Sequence, residues 1–398
     1  MSGAIARRVM SAQTILVTSA DRREPAGDDV LDEEFRAHFD DTTLVYDALL
    51  DGTVLVLICP SLRNLRRGVD CSTFTDARTG EVLSHSVRTR LRMDEIHIVL
   101  APGTQTVQWD GPLVCAMIDL PHHPRDWFTG RNVLLTMSKN NRLDWIADWM
   151  AYYRDCQGAD AILLFDNGST DYTTSQLLDR VAEVDGYRTA VVVDWPRPFG
   201  PQGDRFGRGW GSFFLQDGMF ELARRGYLPR SRAVLNADID ELVVSTGSAT
   251  VFDRATTSRH GVVAYHGLWV RSDPCPEQPP THREADVVEA APWGPVRRCL
   301  PVHGSGPLKW AAVPSRMPPG AQWDTHTVRG VPWSRIPSRH FWYAHYRGIT
   351  NHWKYRREDD PTAVGSASHT EQLRRALGEV CWPAAVTADR RREPDGRT

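Results

Sequence analysis

The stretch RNVLLTMSKNNRLDWIADWMAYYRDCQGADAILLFDNGSTD, residues 131–171, decides the fold. Its first apolar run, 132–137, is typical of a strand, and apolar residues then recur at helical spacing from Leu143 to Tyr153. Gly158 ends that helix, and the run 161–165 indicates a second buried strand. The order strand, helix, strand predicts a β-α-β unit with a parallel sheet.

A second segment, AVLNADIDE at residues 233–241, is a short apolar run that stops at two aspartates. If strand alternation continues, Asp238 and Asp240 place their side chains on one face. Carboxylates that close repel each other unless a cation neutralises them, and Mg²⁺ or Mn²⁺ bound to a substrate diphosphate suits such a pair. The structural alternative is that both aspartates only cap the strand or lie in a solvated turn.

These two segments converge on one edge of the expected sheet. Ligands of parallel sheets bind beyond the carboxyl ends of the strands. That rule places Lys139, Asn140, Asp166 and Asp238 on the same rim. The sequence therefore predicts a ligand site there.

With these motifs the chain resembles the GT-A glycosyltransferases, nearest to the family 2-like and family 92 groups, from Val133 to about Lys354. The matching pieces are Lys139-Asn140 before the helix, FDNGSTD at residues 165–171 and DIDEL at residues 238–242, followed by Lys309, His326, His345-Tyr346 and Trp353-Lys354. The chain departs from the family pattern at Asn141, where a glutamate is usual, and at Tyr153, where a histidine is usual.

The resemblance implies a GT-A catalytic domain of the α/β class, with a Rossmann-like, mixed but mostly parallel sheet, and an N-terminal β-rich domain before it. It also implies roles for individual residues: catalytic Asp240 and Glu241; donor-binding Lys139, Asn140, Asp166, Asp238, Lys309 and His326; metal-binding Asp238, Asp240 and His345. The general base stays open, because neither Glu241 nor Asp204 can be assigned from sequence. On a continuous strand Glu241 points away from Asp240, which leaves a structural role open for it.

The function expected from this resemblance is metal-dependent transfer of a hexose-like group, with Mn²⁺ or Mg²⁺ as cofactor. The donor would be a nucleoside diphosphate sugar and the acceptor a saccharide or glycoconjugate hydroxyl, as in polysaccharide biosynthesis. Two alternatives remain: an aspartyl-nucleophile, Mg²⁺-dependent phosphatase or phosphotransferase, and a sugar-binding module without turnover. The order of elements disfavours the first, since its D-x-D pair belongs near the first strand.

Composition limits the other function classes. The 398 residues carry 47 basic and 50 acidic side chains, a net charge of -3, so the chain lacks the positive field of a nucleic-acid-binding protein. The seven cysteines form no C-x-x-C pair, which favours reduced thiols and a cytoplasmic protein. The sequence contains no apolar run of about 18 residues, so no transmembrane segment is predicted. Peripheral membrane contact stays open.

Four segments are expected along the chain. Residues 1–40 are predicted to be a partly disordered N-terminal segment and residues 41–125 a β-rich domain, because short apolar runs alternate there with turn residues. Residues 126–360 would form the GT-A domain, and residues 361–398 a C-terminal helix and disordered tail. The β-rich domain could be a structural support or a surface that binds carbohydrate or a partner.

Overall fold

The computed structural model describes residues 6–25, 33–201, 214–271, 280–284, 287–292, 307–350 and 364–384. Its strands are β1 (Ala6–Ser11), β2 (Ile15–Leu16), β3 (Thr43–Val45), β4 (Asp47–Asp51), β5 (Val54–Pro60), β6 (Thr73–Asp76), β7 (Val82–Leu83), β8 (His85–Thr89), β9 (Met93–Val99), β10 (Thr106–Asp110), β11 (Cys115–Asp119), β12 (Asn132–Ser138), β13 (Ala161–Asp166), β14 (Thr189–Asp194), β15 (Ala233–Asn236), β16 (Glu241–Ser245), β17 (Val262–Tyr265), β18 (Gly267–Arg271), β19 (Val287–Pro292), β20 (Lys309–Ala312), β21 (Gln322–Trp323), β22 (Val328–Arg329) and β23 (Phe341–Tyr346).

The α-helices of the described residues are α1 (Glu33–His38), α2 (Arg66–Asp70), α3 (Leu143–Gln157), α4 (Thr174–Ala182), α5 (Phe214–Leu222), α6 (Val251–Thr257) and α7 (Ala367–Gly378). A π-helical turn, Ala223–Tyr227, continues α5. Short 3-10 turns lie at Arg63–Leu65, Arg125–Phe128, Pro314–Arg316 and Pro332–Arg335. No helix among the described residues has both the length and the apolar character needed to cross a bilayer.

A seven-stranded sheet forms the centre of the molecule, in the order β1-β14-β13-β12-β15-β20-β17. The strands from β1 to β15 in that order are parallel, and β20 runs antiparallel to both of its neighbours. Strands β12, β13 and β15 are mostly apolar along their whole length, as expected for strands with both faces covered by helices or a second sheet. The protein is thus of the mixed α/β class.

The β-α-β unit predicted from residues 131–171 is confirmed as β12, α3 and β13. Gly158 ends α3 in the left-handed region, at φ 71°, and its N–H donates to the Arg154 carbonyl. The chain adds β13 and β14 on one side of β12 and then crosses to place β15 on the other side. This reversal opens a crevice at the carboxyl ends of β12 and β15.

A four-stranded sheet, β16-β23-β18-β19, packs against α3 on one face of the central sheet. Its pair β16–β23 is antiparallel and aligns Glu241 with His345. Two tyrosines of α3 attach the helix to this sheet, since Tyr152 Oη donates to the Val243 carbonyl and Tyr153 Oη to the Glu241 carbonyl. The helix therefore fixes the start of β16.

The β-rich segment forms two four-stranded antiparallel sheets, β4-β5-β9-β8 and β11-β10-β6-β7, here called the β module. Alternate residues of β5 separate into two cores. Leu55 and Leu57 face the second sheet of the module, whereas Val56 and Ile58 join the core beneath α5 and the central sheet. Strand β5 therefore contributes to both cores.

The N-terminal segment, predicted from the sequence to be partly disordered, contains a strand of the central sheet. Residues Ala6–Ser11 form β1, which pairs in parallel with β14 at the edge of the central sheet. Their pattern, with Arg7 and Arg8 exposed, lacks the apolar run that marks an internal strand, so periodicity gave no signal. In the C-terminal segment, α7 lies where a helix was predicted. The domain boundaries themselves stay a prediction.

The cysteines of the described residues, Cys59, Cys71, Cys115, Cys156 and Cys381, are free thiols. Cys275 and Cys299 lie outside the described residues, and the expectation of reduced thiols stays a prediction. Burial raises the pKa of the Cys156 thiol to about 12. That thiol therefore stays protonated and packs as a small apolar group.

Candidate functional site

The turn that carries the two aspartates, residues 237–240, follows β15 at the carboxyl edge of the central sheet. Strand β15 ends at Asn236, so Asp238 and Asp240 do not continue the strand alternation that the sequence suggested. The Glu241 N–H donates to the Asp238 carbonyl, which closes the turn and starts β16. The turn, and not a pleated strand, therefore sets the directions of the three carboxylates.

Lys309 neutralises part of this cluster from the first position of β20. Its Nζ lies 2.9 Å from Asp238 Oδ2 and 3.0 Å from Glu241 Oε2. The same Glu241 oxygen accepts a hydrogen bond from the Asp238 N–H at 2.9 Å. Lys309 is only 2% exposed, because β20 runs beside β15 and brings it under the turn. Lys309 thus holds Asp238 and Glu241 in one fixed arrangement.

Asp240, Glu241 and His345 form the one group among the described residues whose side chains could hold a metal ion together. Their ligand atoms all lie within 4.8 Å of one another, and His345 Nε2 is 3.1 Å from Asp240 Oδ2. The His345 ring stacks on Trp269 at 4.2 Å between centroids. Two carboxylates and an imidazole suit Mn²⁺ and, with more water, Mg²⁺.

The structure therefore groups the candidate ligands differently from the sequence analysis. The predicted metal set was Asp238, Asp240 and His345. Asp240 and His345 do come together, and the third member of the group is Glu241, while Lys309 contacts both Asp238 and Glu241. The physical reason is the turn, which moves Glu241 into line with His345 across β16 and β23.

The cluster carries more negative than positive charge. Three carboxyl groups lie beside one ammonium group. Burial raises the pKa of Glu241 to about 8. The charges of Asp238 and Asp240 add to this effect, and the charge of Lys309 opposes it. Burial disfavours the charged form of Lys309, but Asp238 and Glu241 outweigh that effect and raise its pKa. The ammonium is therefore permanent, and a divalent cation beside Asp240 would relieve the remaining charge.

Asp166 and Asn140 lie at the same edge, at the ends of β13 and β12. Asp166 accepts hydrogen bonds from the Ser169 N–H at 3.2 Å and the Ser169 hydroxyl at 2.6 Å, and burial raises its pKa. Asn140, at φ 52°, receives the Thr170 N–H at 2.7 Å and donates to the Thr170 hydroxyl at 3.0 Å. The side chain of Asn140 thus joins the two strand-end loops, and Lys139 precedes it at the rim.

His326 occupies the turn between β21 and β22, next to Lys309. Its ring Nδ1 lies 3.1 Å from the Leu308 carbonyl, and its backbone N–H donates to Asp324 Oδ1 at 2.8 Å. Burial, reinforced by the charge of Lys309, lowers the pKa of His326 to about 4. A neutral imidazole that hydrogen-bonds the residue before Lys309 is therefore part of the site's wall.

Sequence reasoning missed a histidine behind the aspartate turn. His282 is fully buried, and its Nε2 lies 2.7 Å from the Ile239 carbonyl, between the two aspartates. The neighbouring Arg283 binds Asp148 of α3 through two hydrogen bonds of 2.7 and 2.9 Å. These contacts join segments far apart in the chain, so no local spacing could reveal them. Three residues named in the sequence analysis, Asp204, Trp353 and Lys354, lie outside the described residues.

Comparison with known proteins leaves the chain without an assigned family. No family model matches it, and no curated protein shows significant similarity to its sequence. Among solved structures, the X-ray structure of the mannosyltransferase Ktr4p from S. cerevisiae is similar to it over 36% of this chain and 41% of that chain, at 10% identity and a TM-score of 0.22. The match spans less than half of the yeast protein, and a score this low carries no argument.

Proposed function

We propose that this protein is a metal-dependent glycosyltransferase of the GT-A type. It would move a sugar from a nucleoside diphosphate sugar to a hydroxyl of a saccharide or glycoconjugate. The observation that carries the proposal is the cluster of Asp240, Glu241 and His345 with the buried Lys309, at the carboxyl edge where the strand order reverses. Anionic ligands with a bound cation fit that position.

The charge distribution supports a diphosphate as the ligand of this site. The cluster keeps excess negative charge, because Asp238 and Asp240 lie beside the single ammonium group of Lys309, and this favours a divalent cation over a free anion. A bound Mn²⁺ or Mg²⁺ would supply stabilisation of the charge that develops on a leaving diphosphate. Asp240 and His345 would hold that ion, with Glu241 behind them, and Asp238 would stay available to the donor on its exposed side.

The burial of Glu241 argues against its use as the general base. The side chain is 1% exposed, and its Oε2 receives both Lys309 and the Asp238 N–H. An acceptor hydroxyl has no route to that oxygen without breaking these contacts. We therefore assign Glu241 to holding the cluster together and leave the base outside the Asp238–Glu241 turn.

The donor side of the site comes from the loops after β12 and β13. Asp166 lies in a recess formed by Ser169 and Thr174, with its carboxylate oriented by their hydroxyls. By resemblance it would contact the base of the nucleotide. Asn140 would act indirectly, because its amide holds the Thr170 loop in place. Lys139 and His326 complete the proposed donor wall.

The test is binding and hydrolysis of UDP-, GDP- and dTDP-sugars with and without Mn²⁺, on the wild type and on Asp240→Asn. Asp51→Asn is a matched control, because Asp51 is an exposed carboxylate of the β module. We expect one donor class to raise the melting temperature with Mn²⁺ in the wild type and in the control only. Sugar binding without nucleotide or metal would instead indicate a binding module, and release of phosphate from phosphomonoesters a phosphatase.

A further inference from the structure

The β module contacts the candidate site through one turn, Arg90–Arg92, between β8 and β9. The Leu91 N–H donates to Gln322 Oε1 at 3.1 Å, and Gln322 Nε2 donates back to the Leu91 carbonyl at 3.0 Å. Gln322 is 4% exposed and opens the hairpin β21–β22, whose turn carries His326. These two hydrogen bonds hold the β21–β22 hairpin against the turn between β8 and β9.

A second contact reinforces the same turn. Arg92 Nε lies 2.9 Å from Asp217 Oδ2 on α5, and Asp217 is almost fully buried. Arg92 has φ 56°, in the left-handed region that costs an L side chain about 1 kcal/mol or more. Glycine would remove that cost, yet the position holds the arginine that reaches Asp217. A strained backbone conformation that is kept at a contact indicates that the contact has a function.

The other end of the hairpin contacts the candidate site. Asn236, the last residue of β15, donates its Nδ2 to the Thr325 carbonyl at 2.9 Å, and Trp310 Nε1 donates to the Asp324 carbonyl at 2.8 Å. Trp310 follows Lys309 in β20. His326 contacts Leu308, the residue before Lys309. The hairpin thus lies between the β module and two strands next to the charged cluster, β15 and β20.

We propose that the β module is a positioning element of the donor site, which holds the β21–β22 hairpin against the ends of β15 and β20. This inference rests on the proposed function. It also decides between the two roles left open for the β-rich domain, since the module would act on catalysis through the hairpin and not as a separate carbohydrate-binding surface. Gln322 and Asp217 are then positioning residues, with no contact to the reacting groups.

The interface offers an internal control, because a second set of contacts joins the same two parts away from the hairpin. Arg225, after α5, binds Asp51 at 2.8 Å, and Arg125 donates to the Leu50 carbonyl at 2.5 Å. These contacts stabilise the interface without reaching β21 or β22. Asp51→Asn therefore removes a contact of the same interface that does not touch the hairpin.

The experiment compares Gln322→Leu and Asp217→Asn with the control Asp51→Asn. Hydrogen exchange measured by mass spectrometry follows residues 318–331 and 233–241, and calorimetry follows binding of UDP and GDP with MnCl₂. We expect both hairpin variants to exchange faster in these peptides and to bind the nucleotide about tenfold more weakly, which corresponds to about 1.4 kcal/mol. The control should change neither quantity.

Three results separate the possibilities. Unchanged exchange in both hairpin variants overturns the inference, because the module would not hold the hairpin. Faster exchange with unaltered nucleotide affinity also overturns it, because the hairpin would not shape the site. Absence of nucleotide binding by the wild type refutes the proposed function, while the exchange data still decide whether the module holds the hairpin.

Discussion

Two buried glutamates of this protein have opposite electrostatic environments. Glu95, between the β module and α5, faces Arg90 at 3.2 Å, Arg225 at 3.0 Å and His97 at 2.6 Å. Burial opposes its ionisation, but the His97 hydrogen bond and the charges of Arg225 and Arg90 prevail and lower its pKa to about 2. Glu241, equally buried, shares one lysine with other carboxylates, and its pKa rises to about 8.

The difference shows that burial alone does not identify a functional carboxylate. At Glu95 the protein supplies its own cations, and the network is complete without a ligand. At Glu241 the protein supplies fewer cations than carboxylates, which is unfavourable for folding and favourable for binding a metal ion. A buried acid left short of positive charge, beside a histidine such as His345, is therefore the stronger indication of a site.

The largest effect is expected from Asp240→Asn. The amide keeps the size of the side chain but removes one negative ligand, so Mn²⁺-dependent turnover of the donor should fall about 10³-fold. Steady-state kinetics with the donor selected by the wild type measure this. Turnover within tenfold of the wild type would mean that Asp240 holds no catalytic ion.

A large loss of stability is expected from Glu95→Gln. Arg90 would lose this buried counter-charge and Arg225 would keep only the weaker pairs with Asp51 and Glu221, so the free energy of unfolding should fall by about 3 kcal/mol. Urea denaturation at pH 7 measures the change, and isothermal titration with Mn²⁺ provides the contrast. If Mn²⁺ affinity fell as well, the two regions would not be independent and the comparison would fail.

A smaller gain in stability is expected from Glu241→Gln without metal. The folded pKa of about 8 exceeds the usual 4.5, so the stability that this group contributes is full below about pH 4.5 and is lost as pH rises through 8. The variant should therefore be more stable than the wild type at pH 8.5 and equally stable at pH 4. Denaturation curves at both pH values test this. A loss of stability at pH 8.5 would show that the ion pair with Lys309 outweighs the burial of the carboxylate.

The smallest effect is expected where an ion pair is exposed. Asp126 and Arg230 pair on the surface with most of both side chains in solvent. Asp126→Asn should change the free energy of unfolding by less than about 0.5 kcal/mol and leave Mn²⁺ binding unaltered. A change comparable to that of Glu95→Gln would show that solvent exposure does not separate these classes of ion pair.

The sequence predicted the parts of the site that local pattern determines. Periodicity identified β12, α3 and β13, and an apolar run that stops at aspartates located the turn after β15. Lys309 and His345 were named only through resemblance, because antiparallel strands β20 and β23 bring them in from distant parts of the chain. Their grouping with the turn is a tertiary property.

Other features had no local signal at all. The role of Glu241 depends on where β15 ends, and a shift of one residue in the strand would have reversed the direction of that side chain. The side chain of His282 makes one hydrogen bond, and that of Gln322 makes two, to backbone atoms of remote segments. The sequence around a residue does not indicate which distant backbone group its side chain will contact. Such contacts are visible only in the three-dimensional structure.

The first strand of the central sheet has a consequence for handling the protein. Strand β1 occupies the outer side of β14, whose residues Val191–Val193 are fully buried. Removing residues 6–11, or blocking them with a rigid fusion partner, would leave a flat apolar strand with unpaired backbone groups at the surface. Such an edge can pair with strands of other molecules. A protein truncated at its N-terminus should therefore aggregate more than the full chain. During synthesis the same six residues must wait for β14, a partner strand that is made much later in the chain.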